Sequence, residues 1–149
     1  MIMKRIINEM KLRLPAISVN EGVARSVISA FAAELNPKIE ELADIRCAVS
    51  EAVTNAIVHA YRDKDERQGA YIYISARLYE TREFTVEVSD SGCGIADVRQ
   101  AMQKGYTSGT EGERSGMGFL VMESFMDFLS VKSKPGKGTR VLMRKILTP

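Results

Sequence analysis

Three polar side chains recur at every fourth position of the stretch "SEAVTNAIVHAY", which is the spacing of one face of a helix. Glu51, Asn55 and His59 line up beside a face of small and branched apolar residues. The carboxylate of Glu51 could act as a general base, and the amide oxygen of Asn55 could ligate Mg²⁺, which prefers oxygen ligands. His59 is the only histidine of the chain, so we interpret it as a member of the stripe and not as a metal ligand. An ordinary polar helix edge would show the same pattern, and the stripe alone leaves both interpretations open.

A second motif, "DSGCGI", follows the alternating stretch "FTVEVS", which predicts a β-strand ending on an acid. Asp90 is followed by Gly92 and Gly94. Glycine tolerates positive φ and lets a ligand or another backbone come close. The alternative is a tight turn whose aspartate caps the next helix.

Two further glycine motifs follow along the chain. In "RSGMGF" (Arg114–Phe119) the glycines could present bare backbone N–H groups at a helix N-terminus, where the donors and the helix dipole favour an anion such as phosphate. A flexible helix start would explain the same residues. "GKGT" (Gly136–Thr139) precedes the last strand and could be a hairpin turn.

Composition restricts the class of protein. The 149 residues predict one domain, 1–149, with a sizeable core. The formal charge of +2 gives no sign of direct nucleic-acid binding. No apolar run reaches the ~18 residues of a membrane span, and the charged start predicts neither a secretory signal nor a membrane partner. Cys47 and Cys93 form no CxxC pair, which favours a reduced, cytoplasmic protein.

The elements that must position these residues follow from periodicity and caps. A capping box at Ser18–Glu21 opens a first helix, and Asn36-Pro37 is interpreted as the cap and first turn of a second helix reaching about Tyr61. The remaining predicted elements are a first strand Asn8–Leu14, paired strands Tyr71–Tyr79 and Phe84–Asp90, a short helix from about Ala96 to Lys104, a mobile loop over 105–116, a helix Met117–Leu129, and a closing hairpin of Leu129–Lys134 and Thr139–Leu147. This order predicts an α/β (α+β) two-layer sandwich, with a mixed, mostly antiparallel sheet and helices on one face.

The order of the motifs carries more information than any one of them. Glu-x3-Asn on a helix, then DxGxG, GxG and GxT in one small domain resembles the Bergerat-type ATP-binding fold of DNA gyrase, ninety-kilodalton heat-shock chaperones, histidine kinases and mismatch-repair ATPases. Whole phrases resemble the anti-sigma F factors of endospore-forming bacteria: "NEGVARSVISAFAAEL", "SEAVTNAIVHAY" and "ERSGMGFLVMESFMD". The resemblance covers most of the chain. It implies a homodimeric serine protein kinase that uses ATP and Mg²⁺ and sequesters a sigma factor.

The resemblance implies roles for the reacting groups. Glu51 would be the general base acting on the substrate serine, and Asn55 would hold Mg²⁺. Arg114 would reach the γ-phosphate. Arg25, on the first helix, matches a residue that contacts protein partners, here RNA polymerase sigma factor F and the anti-anti-sigma factor that is the substrate.

It also implies how the nucleotide would be held. Asp90 would bind the adenine amino group, while Gly92 and Gly94 let the backbone approach the base and Thr139 supports the pocket. Gly116, Met117 and Gly118 would cradle the phosphates. The loop phrase "TSGTEGE" departs from the family's "TTKPE"-like phrase, so no lid lysine contact is carried over.

Three alternatives stay open. One is a stress-response anti-sigma B-type serine kinase with the same fold and chemistry. Another is a histidine-kinase catalytic domain, which would need a phosphoacceptor histidine on a dimerisation helix, whereas His59 lies in the Glu/Asn helix. The third is an ATP-gated binding module with little kinase activity.

Overall fold

A five-stranded sheet with the order β1-β2-β3-β5-β4 organises the chain, and each of its four pairings is antiparallel. The computed structural model describes residues 4–61, 69–102 and 118–149. The elements are β1 (Ile6–Pro15), α1 (Val19–Ala32), α2 (Ile39–Asn55), β2 (Tyr71–Tyr79), β3 (Glu83–Asp90), α3 (Val98–Ala101), α4 (Gly118–Phe125), β4 (Phe128–Lys134) and β5 (Gly138–Ile146). The predicted loop over 105–116 lies outside the described residues.

Alternation along the inner strands places one face of the sheet under the helices. On β2 the residues Ile72, Ile74, Ala76 and Leu78 are buried, whereas Tyr73 between them is exposed. Because successive strand side chains point to opposite faces, this pattern yields one covered and one open face. The predicted two-layer sandwich is therefore confirmed. The prediction of a mixed sheet is wrong for the described strands, because all four of their pairings are antiparallel.

Helix α2 is the central helix and packs against both α1 and α4. It continues past Asn55 as one π-helical turn, Ala56–Ala60, so the helical segment extends to Tyr61 as predicted. The predicted apolar face of this segment is buried in full: Val49, Ala52, Val53, Ala56, Ile57 and Ala60. Burying small residues such as Ala52 and Ala56 on this face lets the helix lie close to its neighbours in the core.

Two predicted helix caps are wrong. Ser18 makes no side-chain capping bond, because it has helical dihedral angles (φ −59°, ψ −32°) and not the extended ones of a capping residue. The Glu21 carboxylate that would complete the box bonds to Arg25 and Ser50 instead. Asn36 adopts a left-handed conformation (φ 50°) and so ends the preceding helical segment. Helix α2 then begins at Ile39, after Lys38, so neither Asn36 nor Pro37 belongs to its first turn.

Other boundaries move by a few residues. The first strand extends beyond its predicted range at both ends, and the short helix starts at Val98 instead of Ala96. Helix α4 ends at Phe125, before the predicted Leu129, because Asp127 joins strand β5: its N–H donates to the Arg144 carbonyl and its carboxylate accepts the Ile146 N–H. These two bonds attach the chain to β5 directly before β4 begins at Phe128.

A buried carboxylate attaches the C-terminal residues to the start of α2. Glu41 accepts the Lys38 N–H, the Thr148 N–H and the Thr148 hydroxyl. Leu147 is buried and its N–H donates to the Arg82 carbonyl. Burial raises the pKa of Glu41, but the hydrogen bonds from Thr148 and Lys38 outweigh it and leave that pKa below its usual value.

No helix among the described residues is long and apolar enough to cross a membrane.

Candidate functional site

Glu51 and Asn55 lie against the first described residue of α4. A Cβ placed on Gly118 would lie 3.0 Å from the Asn55 Nδ2, 3.2 Å from the Glu51 Oε2 and 3.3 Å from the Asn55 Oδ1. Both side chains are half-buried. A side chain at Gly118 would therefore displace the two polar groups that the stripe brings to this point.

The π turn at the end of α2 contacts the loop that follows β3. The Ala60 carbonyl accepts the Cys93 N–H at 2.7 Å, and a Cβ on Gly92 would lie only 2.0 Å from the Ala60 oxygen. Gly92 is thus required by the chain's own packing. Wide turns of this kind occur frequently at functional sites. Here the Ala60 carbonyl points at residues 91–95, which we call the glycine loop.

Asp90 closes the end of β3 with bonds to its neighbouring backbone. Its Oδ1 accepts the Gly92 N–H at 2.9 Å and the Thr139 N–H at 3.3 Å. Burial raises the pKa of Asp90, and the two N–H donors oppose that rise only in part. Asp90 does not cap the next helix; Asp97 does so, by accepting the Gln100 N–H.

The β4–β5 hairpin packs against the same loop. Gly94 has a φ of +75°, and a Cβ there would lie 2.1 Å from the Lys134 carbonyl oxygen, so both conformation and contact require glycine. A Cβ on Gly138 would lie 2.1 Å from the Asp90 carbonyl oxygen. Backbone packing within the chain therefore accounts for these glycines. The approach of an adenine to Gly92 and Gly94 stays a prediction.

The sequence analysis missed two residues that hold this region together. Tyr61 is only 1% exposed; its hydroxyl donates to the Tyr71 carbonyl at 2.6 Å and accepts the Ser91 N–H at 2.8 Å. Burial raises the pKa of this phenol. The tyrosine that ends the phrase "SEAVTNAIVHAY" was the available signal, but its partners are 10 and 30 residues away.

Ser133 is the second missed residue. Its hydroxyl accepts the Ile95 N–H at 2.7 Å and lies 2.8 Å from the Thr139 hydroxyl and 2.9 Å from the Gly138 carbonyl oxygen. The predicted pocket residue Thr139 is thereby joined to the glycine loop. An alternating strand such as "LSVKSK" gives no sign that one of its serines makes these bonds.

Arg25 lies on α1, away from the glycine loop. Its Nη1 is 2.9 Å from the Glu21 Oε1, and the same oxygen accepts the Ser50 hydroxyl. The Arg25 side chain is 37% exposed, so it is available at the surface while it stays connected to α2.

The structure thus brings the predicted residues into two neighbouring groups. Glu51, Asn55 and Gly118 form one, and Asp90, Gly92, Gly94 and Thr139 form the other; α2 connects them. Arg114, Gly116 and Met117 lie outside the described residues. Among residues 4–61, 69–102 and 118–149, no three His, Cys, Asp or Glu side chains are grouped so that they could hold a metal ion.

Comparison with known proteins defines the class. Residues 14–145 match the family of histidine kinase-like ATPase domains. Solved structures support the fold: a chain with RsbU and RsbW domains from Mycobacterium tuberculosis (TM-score 0.69, 20% identity, 95% of this chain and 33% of that one), and the SiaB–SiaC complex from Pseudomonas aeruginosa (TM-score 0.57, 13% identity, 96% and 91%). The fold and the site therefore define an ATP-binding, kinase-like domain.

Closer relatives give the family. An anti-sigma F factor from Clostridium acetobutylicum is 51% identical over 138 residues, 93% of each chain. Another, from Caldanaerobacter subterraneus subsp. tengcongensis, is 52% identical over 140 residues, 94% of each chain. The chain belongs to the anti-sigma F factor family.

Proposed function

We propose that this protein binds and inhibits RNA polymerase sigma factor F and, with ATP and Mg²⁺, phosphorylates a serine of the anti-anti-sigma factor. The observation that carries the kinase part is that the Glu51 and Asn55 side chains, on α2, lie directly against Gly118 at the start of α4. The family membership supports the sigma-factor part. The protein would act as a homodimer in the cytoplasm.

Asp90 would recognise the adenine amino group. Both backbone N–H groups that it accepts bond to Oδ1, so Oδ2 keeps acceptor capacity among the described residues. A carboxylate accepts from the amino group of adenine but has no donor for the carbonyl that guanine presents instead. Gly92, Gly94 and Thr139 would shape the pocket around the base.

Asn55 and the start of α4 would hold the phosphates. The helix N-terminus favours negative charge, so Gly116, Met117 and Gly118 would supply backbone donors there. The residues fit a magnesium ion, because the amide oxygen of Asn55 is a hard ligand beside that anion site. When bound, Mg²⁺ would neutralise phosphate charge, and Arg114 would contact the γ-phosphate.

Glu51 would accept the proton of the substrate serine hydroxyl. The serine oxygen attacks the γ-phosphorus, the bond from that phosphorus to the bridging oxygen breaks, and ADP leaves. The Glu51 carboxylate is half-buried and lies next to Asn55, which would place it beside the transferred group. Arg25 would contact the protein partners from α1.

The experiment that tests this proposal offers the protein its two partners separately. Incubation with Mg-ATP and the anti-anti-sigma factor should yield phosphoserine on that partner, detected by mass spectrometry, and none without Mg²⁺. Sigma factor F should bind in ATP without being modified. Sigma binding without phosphoserine would leave only the ATP-gated binding module.

An Asn55→Ala variant tests the metal assignment. It should weaken binding of Mg-ATP while binding in chelator stays as in the parent, because only the metal contact is removed. Calorimetry in the two conditions measures this difference. Equal Mg-ATP affinity in variant and parent would refute the role of Asn55.

A further inference from the structure

One carboxylate oxygen connects the surface of α1 to the helix that carries the site. Glu21 Oε1 accepts from Arg25 Nη1 at 2.9 Å, one turn along α1. The same oxygen accepts the hydroxyl of Ser50, 29 residues away on α2. The Glu21 side chain is 23% exposed, so solvent weakens these charge-assisted bonds less than it would at an open surface.

Ser50 directly precedes Glu51, the proposed base. The Glu21–Ser50 bond therefore attaches α2 to α1 at the position next to that base. The Ser50 carbonyl also accepts the Thr54 hydroxyl at 2.7 Å. The two helices also pack against each other, and both carry fully buried apolar side chains, Ala24 and Ile28 on α1 and Val49 on α2. Apolar contact is non-directional, whereas a hydrogen bond specifies an orientation. The Glu21–Ser50 bond therefore adds a directional contact between α1 and α2 to their apolar packing.

The guanidinium of Arg25 is only partly satisfied. Its Nε is buried and has no hydrogen-bond acceptor among the described residues. A buried donor without an acceptor is costly, so the bond from Arg25 Nη1 to Glu21 is the charge-assisted contact that holds this guanidinium among the described residues.

We infer that Glu21 is a positioning residue: through Ser50 it orients α2 and hence Glu51, while the same oxygen holds the Arg25 guanidinium on α1. This inference rests on the proposed kinase function. It adds a residue that touches neither the nucleotide nor the substrate serine.

A Ser50→Ala variant of the full chain removes the inter-helix bond and keeps the Glu21–Arg25 pair. We expect kcat for phosphotransfer to fall about tenfold while KM for ATP changes less than about twofold, because a small misplacement of the base affects the transition state and not nucleotide binding. The matched control is Ser29→Ala, since the Ser29 hydroxyl bonds to the Arg25 carbonyl within α1 and to no other helix among the described residues. It should retain the parental kcat.

Variants of Glu21 complete the test. Glu21→Ala should lower kcat as much as Ser50→Ala does, and the double variant should be no slower than either, because both remove one interaction. Glu21→Gln keeps an acceptor for Ser50 and should recover most of the lost rate. Additive losses, a parental kcat in Ser50→Ala, or an equal loss in Ser29→Ala would overturn the inference.

Hydrogen exchange separates this inference from the kinase proposal. The amides of α2 near Ser50 should exchange faster in Ser50→Ala than in the parent, and no faster in Ser29→Ala. If the parent transfers no phosphate, the kinase proposal fails on its own. Equal exchange in parent and Ser50→Ala would overturn the link between the helices whether or not phosphate is transferred.

Discussion

The carboxylate of Asp90, which we propose as the adenine acceptor, is buried at the end of β3. Burial raises its pKa, and the N–H groups of Gly92 and Thr139 compensate only partly. A carboxyl whose pKa is raised by folding does not stabilise the protein in its ionised form at neutral pH. This cost is compatible with the role that we propose for Asp90, an acceptor for the adenine amino group.

An Asp90→Asn variant should separate the two effects. We expect ATP affinity to fall about 10- to 100-fold, the worth of a charge-assisted hydrogen bond, while the melting temperature at pH 7 does not fall. In the parent, ATP affinity should drop as acid protonates Asp90, and this should begin at a higher pH than for an ordinary aspartate. Calorimetry and thermal melts over pH measure both. Unchanged ATP affinity in the variant would remove Asp90 from the adenine pocket.

Tyr61 supports a second prediction at this scale. Tyr61→Phe leaves the Tyr71 carbonyl and the Ser91 N–H without their shared partner, so we expect a loss of about 1–3 kcal/mol in the free energy of unfolding. ATP affinity should fall too, since the loop beginning at Ser91 carries the proposed pocket. Tyr73→Phe, at an exposed position, is the control for urea unfolding. Equal stability of the two variants would contradict the role of the bridge.

Among the elements, α2 and α4 meet where the site forms. Gly118→Ala should leave the fold nearly unchanged, because its methyl would meet only the ends of the Asn55 and Glu51 side chains. Mg-ATP affinity should fall about tenfold as those two groups are displaced. Gly22→Ala is the control: its nearest neighbour is the Arg25 Nη2 at 3.8 Å, and alanine in a helix should add about 0.5–1 kcal/mol of stability. Equal nucleotide affinity in both variants would contradict this packing.

The elements also show what sequence can and cannot predict. The buried face of α2 follows from its apolar period, so the alignment of Glu51 and Asn55 was predictable. The bonds of Glu21 were not predictable. Its spacing from Ser18 is typical of a capping box, whereas its bond to Ser50 depends on how α1 and α2 pack together. Tyr61 and Ser133 were missed for the same reason, because their partners are distant in the chain.

At the scale of the whole molecule, Glu41 joins the start of α2 to the C-terminal residues. Its pKa is lowered on folding, so its contribution to stability is present at neutral pH and is lost as the pH falls through that lowered pKa. Glu41→Gln should therefore cost about 1 kcal/mol at pH 7, and the difference from the parent should shrink in acid. Urea unfolding at both pH values checks this. A difference that grows in acid would contradict the assignment.

The central claim is that Glu51 acts as a base within an intact nucleotide site. Single-turnover phosphotransfer to the anti-anti-sigma factor, with ATP affinity measured in parallel, tests it for Glu51→Gln. Glu40→Gln, an exposed position on the same helix, is the control. We predict parental ATP affinity in both variants, parental transfer in the control, and transfer slower by ~10²–10⁴-fold in Glu51→Gln. Near-parental transfer by Glu51→Gln would contradict the account.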